Sequence, residues 1–112
     1  MVIRVTIRLD RHGCLEGFSV SGHSGTGKMG EDLLCAAVTV LFRTAARALQ
    51  LQSDFGVHGD ASESGKMEVR IAAVPARRRE WLAGLTDFLI QGIEDLREEN
   101  SKAIHLDIEG IK

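Results

Sequence analysis

The sequence is short of most features that mark a specialised class of protein. It has two cysteines and one proline in 112 residues, and no repeat, linker or low-complexity tract. Two cysteines without an export signal argue for a reducing cytoplasm and thiols, so a Cys14–Cys35 disulfide is not expected. Charge of one sign is missing too: 14 basic against 16 acidic residues leave a net −2. That balance provides no field to draw nucleic acid or an anionic membrane, so direct nucleic-acid binding is not expected. The apolar runs fall short of a membrane span, and the N-terminal MVIRVTIRLD alternates rather than forming a signal segment. The length suits one domain over residues 1–112 with a single two-layer core.

What is present is strong periodicity. Ile3, Val5, Ile7 and Leu9 share one face of a strand, with Arg4, Thr6, Arg8 and Asp10 opposite. A turn at Arg11-His12-Gly13 leads to a second run, Cys14 to Ser21, with Cys14, Phe18 and Val20 on one side. Phe55/Val57, Met67/Val69/Ile71 and Ile104/Leu106/Ile108 repeat the pattern in three more segments. One polar face on each favours a mostly antiparallel sheet covered on one side.

Two helices supply the cover. The first is expected from about Glu31 to Leu51, with Leu34, Val38, Leu41, Ala45, Ala48 and Leu49 at helical spacing. It is apolar around more than half its circumference, which predicts burial on more than one side, under the second helix or in a dimer contact. The second starts after Pro75 and runs to about Asn100, with a stripe of Trp81, Leu82, Leu85, Phe88, Leu89, Ile93 and Leu96. The order β-β-α-β-β-α-β defines an α+β two-layer sandwich with both long helices on one sheet face.

The chemistry concentrates in GHSGTGKMGEDLLCAAVTVL, Gly22 to Leu41, where His23 and Cys35 flank a glycine-rich segment. A thiol near a helix N-terminus with an imidazole in reach is a sound way to make a thiolate nucleophile. Residue types alone favour the plainer alternative of a buried small cysteine and a surface histidine. Gly22, Gly27 and Lys28 satisfy G-x-x-x-x-G-K, but Met29 stands where a nucleotide loop needs Ser or Thr for magnesium, and a hairpin-rich chain lacks the parallel sheet of that fold. Gly22, Gly25, Gly27 and Gly30, with Ser24 and Lys28 between them, instead suit a loop that opens and closes over an extended ligand, or a plain connection.

Asp32, three residues before Cys35, shares its side of the helix and either orients His23 or caps the helix. His12, Cys14, His23 and Cys35 offer zinc-type ligands, but their spacing fits no zinc pattern, so neither metal nor other cofactor is expected. Cys14 on its apolar face reads as core, and His58 and His105 as surface residues without a role. The run Arg77-Arg78-Arg79 reads as a solvated face at the start of the second helix, with a rim for RNA or an acidic partner as the functional alternative.

The pattern Gly22-His23, a glycine-rich spacer, then Gly30-Glu31-Asp32-Leu33-Leu34-Cys35-Ala36-Ala37-Val38 resembles the bacterial ribosomal-processing cysteine proteases, the Prp family. The resemblance extends to length and element order. It implies a small cytoplasmic homodimeric endopeptidase without cofactor. The implied substrate is the N-terminal extension of the large-subunit ribosomal protein numbered twenty-seven, cut after an aromatic residue. His23 and Cys35 match the catalytic pair and Asp32 its nearby acid; Ser24 and Thr39 depart from the expected alanine and serine. The competing expectation is a non-catalytic ribosome-associated module that keeps the fold and uses the glycine loop and Arg77 to Arg79 for contact.

Overall fold

A computed structural model describes residues 2–22, 29–61 and 65–110, with backbone only at 29–32. Five strands form one sheet in the order β3-β4-β2-β1-β5: β1 Ile3–Leu9, β2 Leu15–Ser21, β3 Gly56–Asp60, β4 Lys66–Ala73 and β5 Ile104–Glu109. β1 pairs antiparallel with β2, β2 with β4, and β4 with β3, while β5 lies parallel to β1. Helices α1, Met29–Gln50, and α2, Arg79–Glu99, cover one face. The element order and the α+β two-layer class agree with the expectation from sequence.

Alternation does the sorting. Ile3, Val5 and Ile7 enter the core while Arg4 stays outside. Phe18 of β2 meets Phe42 of α1 edge to face, with ring centroids 5.0 Å apart, a favoured aromatic geometry that pins α1 to the central strand.

The β1–β2 hairpin departs from strict alternation. Its register shifts between Arg8 and Leu9, so Arg8 faces Gly17 and Leu9 faces Leu15, with Glu16 as the extra residue. The bulge turns Leu15 fully inward, a position the period-2 pattern had assigned to the outer face. Asp10 closes the turn by accepting from the N–H groups of His12 (2.8 Å) and Cys14 (3.0 Å).

Leu15 also explains why α2 buries a polar residue. Its backbone N–H donates to Thr86 Oγ1 at 2.9 Å, and the Thr86 hydroxyl donates to the Leu82 carbonyl at 2.7 Å. Thr86 is 1 % exposed, whereas Phe88, expected in the apolar stripe, is 68 % exposed. Changing Thr86 to Val keeps the shape and removes the acceptor for a buried N–H. A loss of about 1–3 kcal/mol is expected in denaturant unfolding; an unchanged midpoint would remove the hydroxyl from the account.

α1 begins two residues before the expected Glu31. Within it, Leu33–Gln50 is long and apolar enough, by length and composition, to cross a membrane, which corrects the reading that no run approaches a span. Its inner face supplies Leu34, Val38, Phe42, Ala45 and Leu49 to the core. Leu41 packs over Gly92 of α2, where an added Cβ would come within 3.0 Å of it. The expected burial on more than one side is thus met by the sheet and by α2. Val40 nonetheless remains 60 % exposed.

Candidate active site

The site is built at the end of the sheet where β2 finishes. Ser21 is flanked in register by Arg4 of β1 and Lys66 of β4. Gly22 then takes φ +98°, and the carbonyl oxygen of Val2 occupies the space a Cβ would need. Only glycine fits both conditions, so the backbone that leads into His23 is set by a residue without a side chain. His23, Ser24, Gly25, Gly27 and Lys28 lie outside the described residues.

The chain returns as α1. Gly30 belongs to this helix rather than to the loop in which the sequence placed it. Glycine costs little there, because the N–H groups of the first turn lack helical partners in any case. Asp32 is the fourth residue of this helix, within its first turn.

Cys35 follows in the second turn, 5 % exposed and packed in the core cluster that includes Leu34 and Val38. Being the seventh helical residue, it carries an N–H within the i to i−4 ladder. The pull of the helix dipole, confined to the first turn, is weak here. At this end of the sheet a groove of about 290 Å³ is lined by Ser19, Ser21, Lys66, Met67 and Glu68, none of which sequence reasoning singled out. Its residues come from separate strands and are juxtaposed only by sheet register.

Cys14 is the other thiol, and neither cysteine forms a disulfide. It is buried at the foot of β2, with Sγ 3.7 Å from the Arg79 carbonyl. Burial, followed by the Asp10 carboxylate, raises its pKa, so it is held as a neutral thiol. That is the environment of an inert core cysteine. Among the described residues no cluster has the three or more ligands a metal would need.

A family model for the cysteine protease Prp matches residues 2–105. The chain belongs to the cysteine protease Prp family. No curated protein sequence matches it significantly. Among solved structures, that of SMU.848 from Streptococcus mutans aligns with TM-score 0.82 and 26% identity over 98% of this chain and 96% of that one. The ribosomal processing protease Prp from S. aureus, solved with a substrate peptide, aligns with TM-score 0.79 and 16% identity over 96% of this chain and 100% of that one. The same S. aureus enzyme with a covalently linked product peptide gives 0.77 at 16% identity, with the same coverage. At that identity these two report the shared fold. The family assignment makes this chain a cysteine protease.

The remaining sequence candidates fall away from this end of the sheet. Arg77 and Arg78 sit in a 3₁₀ turn, Ala76–Arg78, that precedes α2. Arg78 is no part of a solvated face: Nη1 reaches Asp54 at 2.6 and 2.8 Å, Nη2 reaches Gln52 at 2.6 Å, and the guanidinium stacks on Phe55 and Trp81. The group staples the loop after α1 to the start of α2. Arg77 remains exposed and touches Asp54 at 3.2 Å. His58 is exposed, and His105 pairs with Asp107 at 3.2 Å on the surface.

Arg78 lowers the Asp54 pKa below 3.8, chiefly through its side-chain hydrogen bond. A depressed carboxylate stabilises the fold above its unfolded value and loses that contribution as pH falls through the lowered one. Acid unfolding curves should therefore show a pH dependence below about pH 4 that Asp54→Asn lacks. Identical curves would mean the staple contributes nothing.

Proposed function

We propose that this protease removes the N-terminal extension of the large-subunit ribosomal protein numbered twenty-seven, cutting after an aromatic residue, in the cytoplasm and as a homodimer. Cys35 is the nucleophile and His23 its base. The observation that carries the reading is the pairing of a strained, glycine-only exit from β2 directly before His23 with a cysteine fixed by core packing on the helix that follows. The S. aureus relative solved with substrate and product peptides acts in ribosomal processing, which supports the substrate class.

The chemistry follows from the two groups. The Cys35 thiolate, paired with the His23 imidazolium, attacks the scissile carbonyl carbon to form a C–S bond and an oxyanion. Donors outside the Cys35 helical ladder stabilise that charge. Collapse breaks the C–N bond, His23 gives its proton to the departing amine, and water, deprotonated by His23, hydrolyses the thioester. Asp32, three residues before Cys35 in α1, serves to orient His23. Because Cys35 is nearly buried, the peptide needs an opening. The glycines at 22, 25 and 27, with Ser24 and Lys28, provide it.

The outer surface of α1 and α2 supports the second copy. Val40 and Phe88 are exposed beside an apolar groove of about 390 Å³ that also includes Leu41, Leu85 and Gly92, the kind of patch that marks a subunit contact. Two cysteines left as thiols are consistent with a reducing compartment. The competing binding module loses one of its contact residues, since Arg78 is committed to the staple.

Intact-mass analysis tests the proposal. The organism's own ribosomal protein, incubated with the enzyme, should lose a short N-terminal piece ending in an aromatic residue. No loss, or cleavage elsewhere, would reject the substrate assignment.

A further inference from the structure

The two edges of the sheet are finished differently. In β3 the register shifts between Gly56 and Val57, and Gln50 Nε2 comes within 3.2 Å of a Cβ position at Gly59. Bulges and covering side chains of this kind protect an edge from adding another strand. β5 has no such protection. Its six residues run in unbroken register with β1, from Ile3 opposite Ile104 to Arg8 opposite Glu109, without proline, glycine or lysine. The Ile3 N–H donates to the Ala103 carbonyl. By parallel-strand geometry His105 and Asp107 then bond inward, and Ile104, Leu106 and Ile108 present N–H and C=O groups outward.

A groove of about 640 Å³ runs along that edge, bounded by Glu94, Arg97, Glu98 and Ser101 on one side and His105 and Leu106 on the other. Neither Glu94 nor Glu98 is paired with a basic group among the described residues. Glu94 and Glu98 outnumber Arg97, the groove's one arginine, so the groove is weakly acidic, and His105 is already engaged by Asp107. Ile108 stays 39 % exposed at its end.

We infer that the outer edge of β5 and the C-terminal half of α2 form an exosite, in which an extended, lysine- or arginine-bearing segment of the substrate protein adds as a sixth strand. Main-chain bonds to Ile104, Leu106 and Ile108 supply affinity, and the acidic groove selects basic side chains. The exosite rests on the protease reading and deepens it. His105 is level with Arg4 and Ser21 across the sheet, so the groove opens at the end where Gly22 leads into His23. An added strand would lie three strand spacings from β2, roughly 14 Å, which about four to five extended residues span. A second copy of the chain would bring the same acids to the same groove, so charge disfavours self-pairing there.

Two synthetic substrates test this: one ending three residues beyond the scissile bond, and one continuing about ten residues further with lysine or arginine in the added stretch. Ile108→Pro removes an outward donor at an edge position where proline is tolerated, and the pair Glu94→Lys with Glu98→Lys reverses the groove's charge without touching the sheet. For each variant, KM for the long substrate should rise about five-fold, the worth of one lost hydrogen bond, with kcat and the short substrate unaffected. An unchanged KM in both variants, or an equal rise for both substrates, would overturn the exosite. So would a variant that shifts the subunit mass in light scattering, since the edge would then belong to a second copy. Fluorescence anisotropy of the long peptide on Cys35→Ala protein keeps the two readings separable. If wild type cleaves neither peptide, the protease reading fails, while tighter binding of the long peptide than of the short one still supports the exosite and equal binding rejects it.

Discussion

Cys35→Ala and His23→Ala should each lower cleavage of the extended ribosomal protein by at least about 10⁴-fold, because a nucleophile and its base act as one unit whose loss is not partial. Neither change should unfold the protein. Cys35 lies in the core, but exchanging its sulfur for a hydrogen removes a single heavy atom, and a cost of about 1–2 kcal/mol follows from the lost contacts. Circular dichroism and thermal melts supply that control. Cys14→Ala is the matching negative. Its thiol is buried against the Arg79 carbonyl and held neutral, so activity should persist. If Cys35→Ala retained cleavage, or Cys14→Ala lost it in a folded protein, the two thiols would have been assigned the wrong way round.

Gly22→Ala should produce the second large effect, and by a different route. The φ of +98° and the Val2 carbonyl both oppose a Cβ at this position. The backbone must rotate away, at about 1–3 kcal/mol of strain or lost fit. His23 is the next residue, so the rotation displaces the base. Misplacement of a catalytic group by about 1 Å can cost 10²-fold. We therefore expect kcat to fall about 100-fold in a protein whose melt still shows a single cooperative transition. Gly30→Ala is the informative contrast. Position 30 sits in the first turn of α1, where glycine costs little, and the outcome should be a protein with stability and kcat close to wild type. Wild-type kcat in Gly22→Ala would mean that the entry to His23 tolerates a different backbone path.

How far these features could be read from the chain alone varied with the physical scale of each. Ile3, Val5 and Ile7 against Arg4 and Thr6 are legible because one sheet face is dry and the other is wet, and the period is two. The bulge opposite Arg8 is not legible, because inserting one residue depends on pairing with a strand that the local pattern does not contain. Thr86 follows from it: a threonine in mid-helix looks misplaced until the bulge brings the Leu15 N–H to its hydroxyl. α1 starts at Met29, two residues before the expected Glu31, with Gly30 in its first turn, where glycine costs little.

The arginine run shows the opposite case. Three consecutive charges suggest a solvated surface, yet Arg78 meets Asp54, Gln52, Phe55 and Trp81. Those partners come from two separate segments, and no one-dimensional pattern places them together. His23 and Cys35 enter through their motif, and His23 lies outside the described residues. The groove at Ser19, Ser21 and Glu68 was not legible, being assembled from register across β2 and β4.

The central claim is that His23 holds the Cys35 sulfur in its anionic form at neutral pH. Its most direct measurement is the rate of iodoacetamide alkylation of Cys35, resolved by mass spectrometry from Cys14, across the pH range in wild type and in His23→Ala. The account predicts rapid Cys35 modification that persists well below the ordinary thiol value of about 8.5, and a return to ordinary thiol behaviour when His23 is removed. A wild-type profile that climbs only near that ordinary value, unchanged by loss of His23, would contradict it.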